Sequence, residues 1–123
     1  MIRLLPLLLG VLGVTAGIAC AQSRAHMEAC TQWKKESSTI GTRNDCDRPI
    51  SIKFMAYDGS HRIEADVPAG GWFDTGVPDG TIEGFIFTVC PVGNEPSVRF
   101  SLENQKTISD SLYNCLPRDR PGV

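Results

Sequence analysis

Apolar and polar residues alternate along this chain in short bursts separated by turn residues. The clearest burst is 50–56. Ile50, Ile52, Phe54 and Ala56 fall on one face of an extended chain. Ser51 and Lys53 fall on the other, with Met55 the one apolar residue among them. Asp58-Gly59 follows, a favoured hairpin turn pair. The return at 62–67 repeats the period: Ile63, Ala65 and Val67 on one side, Arg62, Glu64 and Asp66 on the other. Two arms of period two predict a hairpin with a wet, charged face. Tyr57 falls on its polar side beside the turn.

Residues 81–90 differ in kind. Ile82, Phe85, Ile86, Phe87 and Val89 are nearly continuous, which predicts a central strand covered on both faces. Gly84 inside it points to a bulge or a close backbone approach. Residues 30–35 and 39–43 predict a second hairpin about Ser37-Ser38, with Trp33 as its large apolar anchor. Trp72-Phe73-Asp74-Thr75 reads as a short strand, and 76–80 as a turn. Residues 91–96 read as a loop. Val98, Phe100 and Leu102 alternate with Arg99 and Ser101, predicting another half-buried strand. Residues 107–115 carry two patterns: Ile108 with Leu112 has helical spacing, whereas Thr107, Tyr113 and Cys115 fit a last strand, the preferred reading. About seven short strands at turn intervals of 8–12 residues predict an all-β fold, a small antiparallel sandwich or barrel.

Residues 1–21 stand apart. Arg3 precedes an apolar run at 4–18 that is broken by Pro6, Gly10, Gly13 and Gly17, and Ala19-Cys20-Ala21 has the small-x-small form of a cleavage site. The run is short of the roughly 20 apolar residues a membrane span needs. A secretory signal cleaved after Ala21 is expected, and with it a periplasmic or extracellular protein. A second route is a lipid anchor at Cys20: Gly17-Ile18-Ala19-Cys20 loosely resembles a bacterial lipobox, although Gly17 stands where Leu is usual. The expected organisation is a signal at 1–21, a tail at 22–29, a β domain at 30–116 and a tail at 117–123.

Removing 21 of 123 residues leaves 102, enough for one domain with a thin core. Arg3 leaves with the signal, so 14 acids face 11 bases and the net charge is −3. That balance excludes a nucleic-acid binder held by bulk phosphate attraction. Cys30, Cys46, Cys90 and Cys115 remain, an even set that fits two disulfides in an oxidising compartment. Four cysteines allow three pairings. The local one, Cys30 with Cys46 and Cys90 with Cys115, is favoured because each closes a hairpin-sized loop. The spacings match no zinc pattern.

Asn44-Asp45-Cys46-Asp47-Arg48-Pro49-Ile50 opens the first hairpin, and Pro68-Ala69-Gly70 closes it. This layout, N-x-C-x-x-P-[IV], hairpin, P-x-G, resembles that of small secreted bacterial β-proteins of unknown function. It is also loosely similar to the opening strands of thaumatin-like domains, which are far longer and richer in cysteine. The resemblance covers about 35 residues and carries over no functional residue.

Candidate chemistry is sparse. No G-x-S-x-G elbow is present. His26 lies near the expected mature terminus, and His61 just after a turn. Glu64 and Asp66 share a strand face beside Lys53 and Arg62, where acids ordinarily solubilise. Asp45, Asp47, Asp74 and Asp79 form no calcium-loop string, so neither a metal nor a cofactor is expected. Aromatic residues are the better clue. Tyr57 lies on a polar face, and adjacent Trp72 and Phe73 must point to opposite sides of a strand, so Trp72, Phe73 and Tyr57 are the candidate ligand-binding residues. The expected function is an exported, non-enzymatic binding domain for a protein or an envelope glycan, one form being a periplasmic inhibitor or immunity-like protein. The alternatives are a small secreted hydrolase built on Glu64 or Asp66 with His61, and a structural envelope lipoprotein.

Overall fold

Nine antiparallel strands are present among residues 24–36 and 38–118, which the computed structural model describes. The expected signal at 1–21, and Cys20 within it, lie outside the described residues. The strands are β1 (Arg24–Ala25), β2 (Thr31–Glu36), β3 (Thr39–Asn44), β4 (Ile50–Ala56), β5 (Arg62–Val67), β6 (Trp72–Pro78), β7 (Phe85–Pro91), β8 (Asn94–Pro96) and β9 (Asn114–Pro117). They form three small sheets, ordered β2-β3-β6, β5-β4-β7 and β1-β9-β8. One short helix, α1 (Gln105–Ser109), and two 3-10 turns complete the fold.

The first two sheets pack face to face as a sandwich. Ile40, Phe73 and Val77 from one meet Ile50, Ile52, Phe54 and Val89 from the other. Burial of each such side chain contributes about 1.5–3 kcal/mol. Trp33 fills one flank, with ring centroids 4.9 Å from Phe85 and 4.8 Å from Phe87. The predicted β4–β5 hairpin forms, with Ile50 opposite Val67 and Phe54 opposite Ile63. The β2–β3 hairpin forms too, with Trp33 opposite Thr42. Both disulfides join the local pairs, Cys30 to Cys46 and Cys90 to Cys115.

The hairpin face expected to be wet is covered along β4 and open along β5. Met55 and Ile86 meet Phe100 and Ile108 in a second small core, and Cys90 meets Tyr113 and Cys115 in a third. Met55 breaks the alternation in β4 because it serves this second core. The polar Ser51 and Thr88 are buried on the same face.

Several strand expectations are corrected. The central strand of its sheet is β4, not the 81–90 segment; β7 begins at Phe85 and has a neighbour on one side only. Its continuous apolar run reflects burial of both faces, which is independent of position in the hydrogen-bond order. β6 runs on through Gly76 and Val77 to Pro78, and Gly76 takes a positive φ of 75° inside it. Residues 98–101 are not a strand. Val98 and Phe100 do turn inward, but without a ladder partner, and Leu102 starts a 3-10 turn. The paired strand is instead β8, within the stretch read as a loop.

The 107–115 stretch resolves into helix and then strand. Helix α1 ends on Ser111, which takes the left-handed conformation with φ 57°. The Leu112 N–H donates to Thr107 O and the Ser111 N–H to Ile108 O, closing a Schellman motif. The chain then turns Leu112 out, 67% exposed, and Tyr113 in. Within the stretches read as tails, Arg24–Ala25 pairs with β9 and the Arg118 N–H donates to Gly93 O.

Tyr113 pins this outer layer. Its hydroxyl accepts the Val89 N–H at 2.9 Å and donates to the Glu28 carboxylate. Burial above all, then the hydrogen bond to Glu28 and its charge, push the phenol well above its usual 10.0. An unfolded tyrosine ionises near 10. The folded pKa is the raised one, so this stabilisation is complete below pH 10 and is lost as pH rises beyond it. Denaturant titrations at pH 8 and pH 11 should show this loss. Tyr113→Phe should flatten it, while costing about 1–2 kcal/mol at pH 7 because the Val89 N–H loses its acceptor.

Candidate functional site

Trp72 opens β6 on the outer face of the β2-β3-β6 sheet. Arg43 stands opposite it across the ladder, with Gln32 beyond. Next along the same face come Asp74, Gly41 and Lys34. Gly41 decides the local geometry. A Cβ there would lie 2.7 Å from the Trp72 Cζ2 and 2.7 Å from the Phe73 carbonyl oxygen, so only glycine lets the indole lie over the strand. The ring buries Gly41 yet stays 39% exposed itself. Arg43 is held beside it by a 2.8 Å bond to Asp45. The result is an exposed indole seated on a rigid sheet, with guanidinium, amide, ammonium and carboxylate groups on the same face.

The three candidate residues are not brought together. Phe73, next in β6, turns into the core at 6% exposure and meets Trp33 edge-on at 6.3 Å. Tyr57 is 44% exposed, and its ring covers Gly84, where a Cβ would overlap it. Tyr57 follows the last residue of β4, whereas Trp72 lies at the Ile50–Val67 end, where the Asn44 amide reaches the Val67 carbonyl. At about 3.3 Å per residue, the length of β4 separates them by roughly 20 Å. Trp72 and Tyr57 therefore belong to different surfaces. The two strand glycines, Gly41 and Gly84, were the sequence signal for both ring positions, but which ring covers which glycine depends on the pairing.

The acidic candidates face water. Glu64 and Asp66 stand on the exposed side of β5, and Glu64 pairs with Lys53 at 3.3 Å. Arg62 beside them is engaged: it donates to Phe100 O at 2.8 Å and lies 5.4 Å from the Phe100 ring centre. In the groove between β5 and the 95–100 segment, Lys53 is thus engaged by Glu64, and Arg62 by the Phe100 carbonyl and ring. His61 contacts the Ser60 hydroxyl at 3.0 Å in the exposed turn. Asp58 accepts the Ser60 N–H at 2.8 Å, and Ser60's hydrogen bonds lower its carboxyl pKa. His26 stacks on Tyr113 with centroids 4.7 Å apart. Among the described residues no three His, Cys, Asp or Glu side chains gather as a metal ion requires, and no helix is long and apolar enough to cross a membrane.

Comparison of the chain with protein-family models, with curated proteins and with solved structures finds no match.

Proposed function

We propose that this is an exported, non-enzymatic binding domain for a protein or an envelope glycan, and that its recognition surface is the outer face of β2-β3-β6 centred on Trp72. The observation that carries the reading is the indole laid over Gly41, exposed, among Gln32, Lys34, Arg43 and Asp74. A tryptophan in a soluble domain ordinarily spends its area on the core, as Trp33 does. One held at a surface gives a rigid apolar plate with a hydrogen-bonding rim, the combination that stacks on a sugar ring or anchors a protein partner. The two disulfides suit an oxidising, exported location. Delivery by a signal cleaved after Ala21 is part of the proposal.

Envelope extract passed over the immobilised, oxidised chain is the test. A retained protein or glycan should be lost from the Trp72→Ala variant, with affinity falling about thirtyfold or more as expected of a tryptophan hot spot. Equal retention by the folded variant would place recognition elsewhere and overturn the assignment.

A further inference from the structure

At the far end of the sandwich, β7 has β4 on one side only. Its other edge is met at Val89, whose N–H donates to the Tyr113 hydroxyl and whose carbonyl accepts the Met27 N–H, both at 2.9 Å. Alternate residues of an antiparallel strand aim their backbone groups at the same edge. Phe87 and Phe85 therefore aim theirs there as well. A cavity of about 130 Å³ opens at that point, lined by the 85–87 edge of β7 together with Glu28, Tyr57, Ile108 and Ser109. Trp33 backs the two phenylalanines.

Glu28 gives the cavity its chemistry. Its carboxylate accepts the Ser111 hydroxyl at 2.7 Å on one oxygen and the Tyr113 hydroxyl on the other. Hydroxyls orient a carboxylate without cancelling its charge. No Lys or Arg among the described residues pairs with it. Ser111 occupies a left-handed position where glycine is the usual choice, and glycine would lack the hydroxyl that reaches Glu28. The site thus combines a preset negative charge with the exposed ring of Tyr57. An anion would be repelled by Glu28. A neutral apolar group would strip water from the carboxylate and give nothing back. A cation satisfies both the charge and the Tyr57 ring face.

We propose that this cavity receives a protonated alkylamine, its ammonium group against Glu28 and the Tyr57 ring, its methylenes along the β7 edge toward Ile86 and Ile108. The site is independent of the Trp72 surface, which lies at the other end of β4.

The test is an NMR titration of the oxidised full chain with n-butylammonium chloride, at ionic strength matched with sodium chloride, with n-butanol as the uncharged counterpart. Saturable shifts of the Tyr57 ring and the Ile86 and Ile108 methyl resonances with the amine, and not with the alcohol, are expected. Glu28→Gln keeps an oxygen acceptor and should weaken binding roughly tenfold. Tyr57→Ala should weaken it roughly two- to thirtyfold, and Tyr57→Phe, which keeps the ring, should not. A parallel titration with Nα-acetyl-lysine N-methylamide separates the sources. Binding equal to butylamine marks a site for a lysine side chain of a polypeptide; weaker binding marks one for a free amine. Absence of saturable shifts, an equal response to butanol, or unchanged affinity in both Glu28→Gln and Tyr57→Ala would overturn the proposal.

Discussion

Asn44→Ala should lower the unfolding free energy by about 3–5 kcal/mol, a large share of what a domain of this size has to lose. Asn44 is fully buried at the end of β3. Its side-chain amide donates to Arg48 O and to Val67 O, each at 3.0 Å, and its Oδ1 accepts the Cys46 N–H at 2.8 Å. Its backbone is used as well: the Asn44 N–H donates to Gly71 O and its carbonyl accepts the Gly70 N–H. One residue thereby ties the β3–β4 connection to the β5–β6 connection, across the two sheets. Alanine removes three hydrogen bonds, leaves the Cys46 N–H buried without an acceptor at about 1–3 kcal/mol, and strips the Val67 carbonyl of its second donor. Asn44→Asp keeps the acceptor for Cys46 but faces two carbonyls with an oxygen instead of a donor, so at pH 7 it should be no more stable than alanine. Urea denaturation checks both variants. The midpoint should fall at constant slope, which separates lost stability from a changed unfolded state.

The same contacts give the N-x-C-x-x-P, hairpin, P-x-G layout a physical meaning. Asn44 supplies the knot and Cys46 the bonded amide. Pro49 keeps the chain extended into Ile50. The Pro68 carbonyl accepts the Gly71 N–H, and Gly70 takes the positive φ of 80° that brings its own N–H to Asn44. Every one of these residues was visible in the sequence. Their convergence was not, because it joins positions more than twenty residues apart.

Legibility elsewhere followed a similar division. The β4–β5 hairpin is readable because its inner face meets a single core, so period two survives with Met55 as the one exception. Met55 was readable as an exception but not as an anchor, since Phe100 and Ile108 reach it from a segment with no strong pattern of its own. The 105–109 helix escaped because five residues with one buried position, Ile108, carry almost no periodicity. Of the proposed surfaces, Trp72 could be singled out from its neighbour Phe73 and the flanking glycines. The Glu28 cavity could not, because Glu28, Tyr57 and Ser111 come from three distant stretches that only the β1–β9 and β4–β7 pairings bring near one another.

Replacing Cys90 and Cys115 together by alanine should cost about 3.5 kcal/mol from the lost cross-link alone, the value expected when a closed loop of 25 residues is released in the unfolded chain. The Cys30–Cys46 pair, with a separation of 16, should cost about 3 kcal/mol. Loop length hardly distinguishes the two bonds; burial does. Cys90 and Cys115 are 1% and 0% exposed, whereas Cys30 is half-buried. Mild reductant should therefore open Cys30–Cys46 first and reach Cys90–Cys115 only as the domain unfolds, an order that timed alkylation and peptide mapping would read directly. The buried bond also holds β9 to β7, and β9 carries both β1 and β8. Its loss should release hydrogen-exchange protection first at 94–96 and 114–117, and should loosen Tyr113 and the Glu28 carboxylate with them, while the β4–β5 hairpin keeps its protection longer. Loss of both bonds approaches the whole stability of a small domain. The fold, and either surface it presents, should then persist only where disulfides do. Reversal of the reduction order, or unchanged stability of the Cys90→Ala/Cys115→Ala chain, would contradict this reading.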